Sequence, residues 1–92
     1  MSSMNCSRND VVLLPVPFTD LTSRKVRPAI VLGQNGFDLF LVPISSVLAN
    51  TDFPLAAWQA AGVNAPSGVK AQLATVESRL VVKVIGQLDS RD

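Results

Sequence analysis

Three of the chain's eight basic residues, Arg24, Lys25 and Arg27, fall within one short stretch beside Thr19 and Asp20. Such a concentration of cationic donors suits an anion with several oxygens, such as a phosphodiester. Arg27 stands directly before Pro28, and a residue before proline is pushed towards extended backbone. A guanidinium aimed from such a position offers two parallel N–H donors to a phosphate. It could equally cap loop carbonyls or pair with Asp20, and Arg24 and Lys25 could simply form a solvated loop face. Ser45 and Ser46 close an apolar run, where they serve as turn residues or as hydroxyls offered to a phosphate or a ribose 2′-OH. Lys70 and Gln72 share one side of a strand, given its two-residue period. On a small barrel they could converge with Arg27 and Ser45.

The chemistry open to this set is cleavage of RNA by attack of the 2′-OH on the adjacent phosphorus. That reaction needs a base, stabilisation of the charged phosphorane and an acid for the leaving 5′ oxygen. Preorganised positive donors serve the second need best. Arg27 suits it, with Ser45 and Gln72 as neutral donors, and Asp20 is the carboxylate of the loop. Other chemistries are excluded by composition. There is no histidine and a single cysteine, Cys6, so Ser-His-Asp and Cys-His triads, an intrachain disulfide and histidine- or cysteine-rich zinc sites are ruled out. The acids Asp10, Asp20, Asp38, Asp52, Glu77, Asp89 and Asp92 are scattered singly, with no spacing for a metal site or a carboxylate pair. No metal and no cofactor is therefore expected. A formal net charge of +1 argues against a bulk electrostatic binder of nucleic acid, so any such contact must come from local clustering.

The elements that must position these residues read as β. Residues 1–9 are polar and are expected to form a flexible tail, with 10–92 as one domain. A chain of 92 residues has a thin stability margin that dimerisation would improve. Residues 11–14 form a short β-branched run closed by Pro15 and Pro17, hence a strand. Residues 28–32 and 37–44 are two more strands, and the Asn35–Gly36 pair between them signals a hairpin turn. Their near-continuous hydrophobicity predicts cover on both faces. Gly33-Gln34-Asn35-Gly36 has no following helix, so it is a hairpin turn rather than a phosphate loop. Residues 56–62 are rich in Ala and end in Gly62, which predicts a short helix packed by Trp58. Beyond a turn at 65–68, a strand is expected over 69–73, a tight turn over 76–79 and a last strand over 80–88. Five or so short strands with one small helix predict a mainly β chain folded as a compact, partly open barrel. No apolar run approaches the ~20 residues of a membrane helix, and the first residues lack the apolar core of a signal peptide. A soluble, cytoplasmic protein without membrane contact is the expectation.

Nearly the whole chain from Asp10 to Leu88 resembles the MazF/PemK family, the ribonuclease toxins of bacterial toxin–antitoxin pairs. DVVLLPVPFTDLTSRKVRPAIVL resembles its opening strand, first loop and Arg-Pro-Ala strand, and LVPISS its strand ending in Ile-Thr/Ser. DFPLAAWQAAG is similar to a segment of the PemK-like branch, and QLATVESRLVVKVIGQL to the closing turn and strand. The resemblance implies an SH3-like, CcdB/MazF-like barrel that forms a homodimer. It also implies a metal-independent endoribonuclease that cuts single-stranded RNA, mainly mRNA, leaving a 2′,3′-cyclic phosphate and a 5′-hydroxyl. A cognate antitoxin would cover the RNA groove, and operator DNA would be met only through the antitoxin complex. Arg27 and Ser45 fall on the family's catalytic positions. Gln72 falls on an RNA-contacting one, and Thr19, Asp20, Arg24, Lys25, Ser46 and Lys70 are the accompanying RNA-binding candidates. The chain departs from the family in lacking a first-loop His. It also carries Val69 and Ala71 where some members have an Arg and an acid, with Lys70 as the neighbour able to compensate. The C-terminal helix with which members usually continue, and which supports their dimer, is expected to be missing. Two other readings accompany this one: a catalytically weak or inactive barrel that binds antitoxin, RNA or operator DNA, and a gyrase-poisoning toxin of the related CcdB type.

Overall fold

The β-branched runs pair into a single antiparallel sheet. The computed structural model describes residues 6–15 and 26–92. Its strands are β1 (Asp10–Pro15), β2 (Val26–Asn35), β3 (Asp38–Ser45), β4 (Phe53–Pro54), β5 (Gly68–Val69), β6 (Ala74–Glu77) and β7 (Lys83–Gln87). They are ordered β4-β5-β3-β2-β1-β7, with β6 on the same edge of β3 as β5. The protein is thus mainly β, and its sheet does not close. No described helix is long and apolar enough to cross a membrane.

Cover on both faces follows from the strand period. Val12 and Leu14 of β1, Ala29 and Val31 of β2, and Leu39 and Leu41 of β3 pack with Val76 and Val81. Val11, Ile30 and Ile44 turn the other way and pack with Leu55 and Ala61. Neighbouring side chains of one strand point to opposite faces, so β1, β2 and β3 each feed two cores. That is why their sequences read as continuous apolar runs rather than alternating ones.

Several local expectations need correction. The hairpin turn centres on Gly36 and Phe37, because Asn35 still pairs with Asp38. Gly36 adopts φ +63°, while Asn35 is not among the positive-φ residues, as in a turn whose first central residue alone needs that conformation. Residues 56–62 form successive turns instead of a helix. Amides of Ala60 and Ala61 both donate to the Ala57 carbonyl, and that of Gly62 to Gln59. So few residues fall short of a self-supporting helix, and tertiary contacts hold them instead. The Asp92 carboxylate accepts from the amides of Ala56 and Ala57, and Gly62, at φ +86°, lies against the Ile85 backbone. The segment still covers the second core, with Trp58 packed on it. The strand expected over 69–73 is only Gly68–Val69, and the turn expected over 76–79 is the end of β6 followed by a 3-10 turn, Ser78–Leu80. The last strand is confined to Lys83–Gln87. Of the expected tail, residues 6–9 are tied down: the Asn9 amide donates to Val31, the Leu88 amide donates to Asn9, and the Cys6 amide donates to the Gln34 side chain.

Candidate functional site

Arg27 and Ser45 lie at neighbouring ends of β2 and β3, just past the last paired residues of the two strands. Starting from the hairpin, Asn35 pairs with Asp38, Gln34 with Leu39 and Gly33 with Phe40. A bulge at Leu32 then shifts the ladder, so that Val31 pairs with Leu41, Ile30 with Val42 and Ala29 with Pro43. Ala29 with Pro43 is the last pair of this ladder. Beyond it Arg27, near the start of β2, and Ser45, at the end of β3, line the same two clefts. Next to them, Lys70 donates its amide to the Pro43 carbonyl at 3.0 Å, which sets it beside the same end of β3.

These three residues line one cleft of about 220 Å³, together with Pro43, Ile44, Val47 and Asn50. A second cleft of about 430 Å³ shares Arg27, Ile44, Ser45 and Val47 with it, and extends past Leu13 and Pro28 to Ser46, Asn64 and Lys83. Arg27 and Ser45 therefore stand where the two clefts meet. No acidic residue lines either cleft among the described residues. The ion pairs among the described residues are Arg79–Glu77 and Arg91–Asp89, so Arg27, Lys70 and Lys83 have no neutralising carboxylate among the described residues. Three cations thus gather at the clefts of a chain of near-zero net charge.

The Ser45 hydroxyl is also oriented. Its oxygen accepts the amide of Val47 at 3.1 Å, a serine turn at the end of the strand. With one lone pair engaged, its own proton is free to be donated into the cleft. Arg27 and Ser45, both lining the two clefts, are donors suited to an anionic group.

Ser46, exposed, lines only the larger cleft. Gln72 does not join the set. The strand that would have kept Lys70 and Gln72 on one side ends at Val69. Beyond it the Gln72 amide turns back to the Lys70 carbonyl at 2.7 Å, and the Ala71 amide donates to the Asp52 carboxylate at 2.8 Å. An i to i+2 turn of this kind breaks the two-residue alternation, and Gln72 lines neither cleft. Thr19, Asp20, Arg24 and Lys25 lie outside the described residues. Lys83, Asn50 and Asn64 were not singled out from the sequence. A lysine inside the apolar run Val81-Val82-Lys83-Val84-Ile85 was the available signal for the first. The two asparagines sit in connecting segments and left none.

Groups with displaced acidity lie away from these two clefts. Burial, and then the Asp10 charge, push the Cys6 thiol up. Hydrogen bonds from Arg91 hold the Asp89 carboxyl below its usual range. Among the described residues no three His, Cys, Asp or Glu side chains gather into a metal-binding group. A third cleft, of about 330 Å³, is bounded by Phe53, Leu55, Leu88, Arg91 and Asp92. Its charged groups are already engaged, Arg91 with Asp89 and Asp92 with the 56–57 amides. No family model and no curated protein matches the chain.

Proposed function

We propose that this chain is the toxin of a type II toxin–antitoxin pair, an endoribonuclease of the MazF/PemK type that cuts single-stranded RNA without a metal ion. The observation that carries the reading is that Arg27, Ser45 and Lys70 line one cleft with no acidic residue in its lining among the described residues. In the proposed reaction the 2′-hydroxyl oxygen attacks the adjacent phosphorus and its proton is lost. The bond from phosphorus to the 5′ oxygen breaks, and that oxygen takes up a proton. The products are a 2′,3′-cyclic phosphate and a 5′-hydroxyl. Negative charge builds on the non-bridging oxygens as the phosphorane forms. The Arg27 fork and the Ser45 hydroxyl are suited to stabilise it, because fixed donors in a partly dry cleft gain most where charge develops. Lys70 is suited to a neighbouring phosphate. No carboxylate or imidazole lines the clefts among the described residues, so they offer charge stabilisation and orientation rather than a base.

The partners that follow are single-stranded RNA, a cognate antitoxin, a second copy of the chain, and operator DNA through the antitoxin alone. The displacement of Gln72 from both clefts favours a second reading, a barrel that binds RNA or antitoxin with little or no cleavage. One experiment separates the two. Purified protein is incubated with an unstructured RNA in EDTA, and the product ends are mapped. New 5′-hydroxyl ends paired with 2′,3′-cyclic phosphates support the nuclease; intact RNA that nevertheless co-migrates with the protein supports the binding barrel.

A further inference from the structure

We propose that the larger cleft is a nucleotide subsite beside the scissile phosphodiester, with Lys83 holding the neighbouring phosphate; this rests on the ribonucleolytic reading above. The sheet register builds its floor. Leu13 pairs with Pro28 on one side and with Lys83 on the other. This cross-strand row, with Ile44 and Ser45 of β3, lines the cleft. The opposite wall is the 62–67 segment, held against β7 by the close approach of Gly62 to Ile85. Asn64 is the exposed polar side chain of this wall, because the Ser67 hydroxyl is already donated to the Ala65 carbonyl at 2.8 Å, and Ser46, just past β3, is exposed at the same cleft.

A volume of about 430 Å³ lies within the ~300–1,000 Å³ range of small-ligand clefts. Its chemistry selects an unpaired nucleotide. The apolar floor accepts the face of a base, and an asparagine amide supplies both a donor and an acceptor for a base edge. The cations Arg27 and Lys83, with no acid between them among the described residues, match two phosphates. Because the two clefts share Arg27 and Ser45, one strand laid from Lys70 to Lys83 passes the reacting pair.

The test is fluorescence anisotropy of the full chain with a short, unstructured ribo-oligonucleotide made uncleavable by 2′-O-methylation, titrated over a range of salt. Lys83→Gln should weaken binding about two- to fivefold, the worth of one exposed ion pair. It should also flatten the plot of log K against log salt by about 0.7, the single-strand value for one phosphate contact. Asn64→Ala, assayed on cleavable RNA, should change the preferred base at one position next to the cut and leave the salt slope unchanged. A wild type that cuts RNA, alongside a folded Lys83→Gln variant of equal affinity and slope, overturns the subsite and leaves the nuclease standing. A wild type that neither binds nor cuts RNA overturns both.

Discussion

Replacing Arg27 by alanine should separate catalysis from folding cleanly. Arg27 is exposed and makes no ion pair among the described residues. No core packing is lost with it, so the unfolding free energy should stay within about 0.5 kcal/mol of wild type. The catalytic cost is of a different size. Removing one preorganised donor to a developing oxyanion costs about 10²–10³ in rate, or roughly 2.7–4 kcal/mol of transition-state stabilisation. Among the described residues Arg27 is the one guanidinium in either cleft and is suited to donate two bonds at once, so its loss should fall at or beyond the upper end. Arg27→Lys keeps the charge without the fork and should land between alanine and wild type. The assay is initial-rate cleavage of an unstructured fluorogenic RNA in EDTA, paired with a urea midpoint for each variant. An alanine variant that cuts at the wild-type rate refutes the site. A midpoint that collapses together with the activity refutes the claim that Arg27 is free of a structural role.

The Ser78 hydroxyl is fully buried and has no hydrogen-bond partner among the described residues. Leaving a buried polar group unsatisfied costs about 1–3 kcal/mol, so Ser78→Ala should raise the urea midpoint, and a clear fall would contradict that accounting. A Cβ at Gly86 would stand 2.5 Å from the Ala61 carbonyl carbon and oxygen. Overpacking against backbone costs about 1–3 kcal/mol or more, so Gly86→Ala should lower the thermal midpoint by several degrees, and an unchanged melt would show that the 56–62 turns can move aside. Arg91 holds the Asp89 carboxyl below its usual range. A carboxylate so lowered contributes to folding above its ordinary value, and the contribution is lost as pH falls through the lowered one. Arg91→Gln should therefore move the Asp89 titration, followed by NMR, upward; an unmoved curve would rule out that pairing in solution.

Local chemistry was legible wherever it did not depend on distant partners. Val11 to Leu14, Ile30 to Leu32 and Leu39 to Ile44 are β-branched or bulky apolar runs punctuated by proline and glycine, and they form strands for that reason. Their unbroken hydrophobicity also announced the two cores, because only a strand covered on both faces can afford it. The Arg27–Pro28 pair marked a cation at the mouth of a strand, and Ser45 marked the end of another. Tertiary structure alone decided that these two would meet. A single extra residue at Leu32 shifts the β2–β3 ladder between the Gly33–Phe40 and Val31–Leu41 pairs, and a one-residue slip is invisible to any local pattern. Long-range contacts likewise turned 56–62 from a helix into turns, through the Asp92 carboxylate and the Gly62 contact. They also swung Gln72 out of the site and brought Lys83 across β1 to the second cleft. The physical reason is common to all four cases. Propensity acts over a few neighbouring residues, whereas register and convergence are set by hydrogen bonds and packing between segments far apart in the chain.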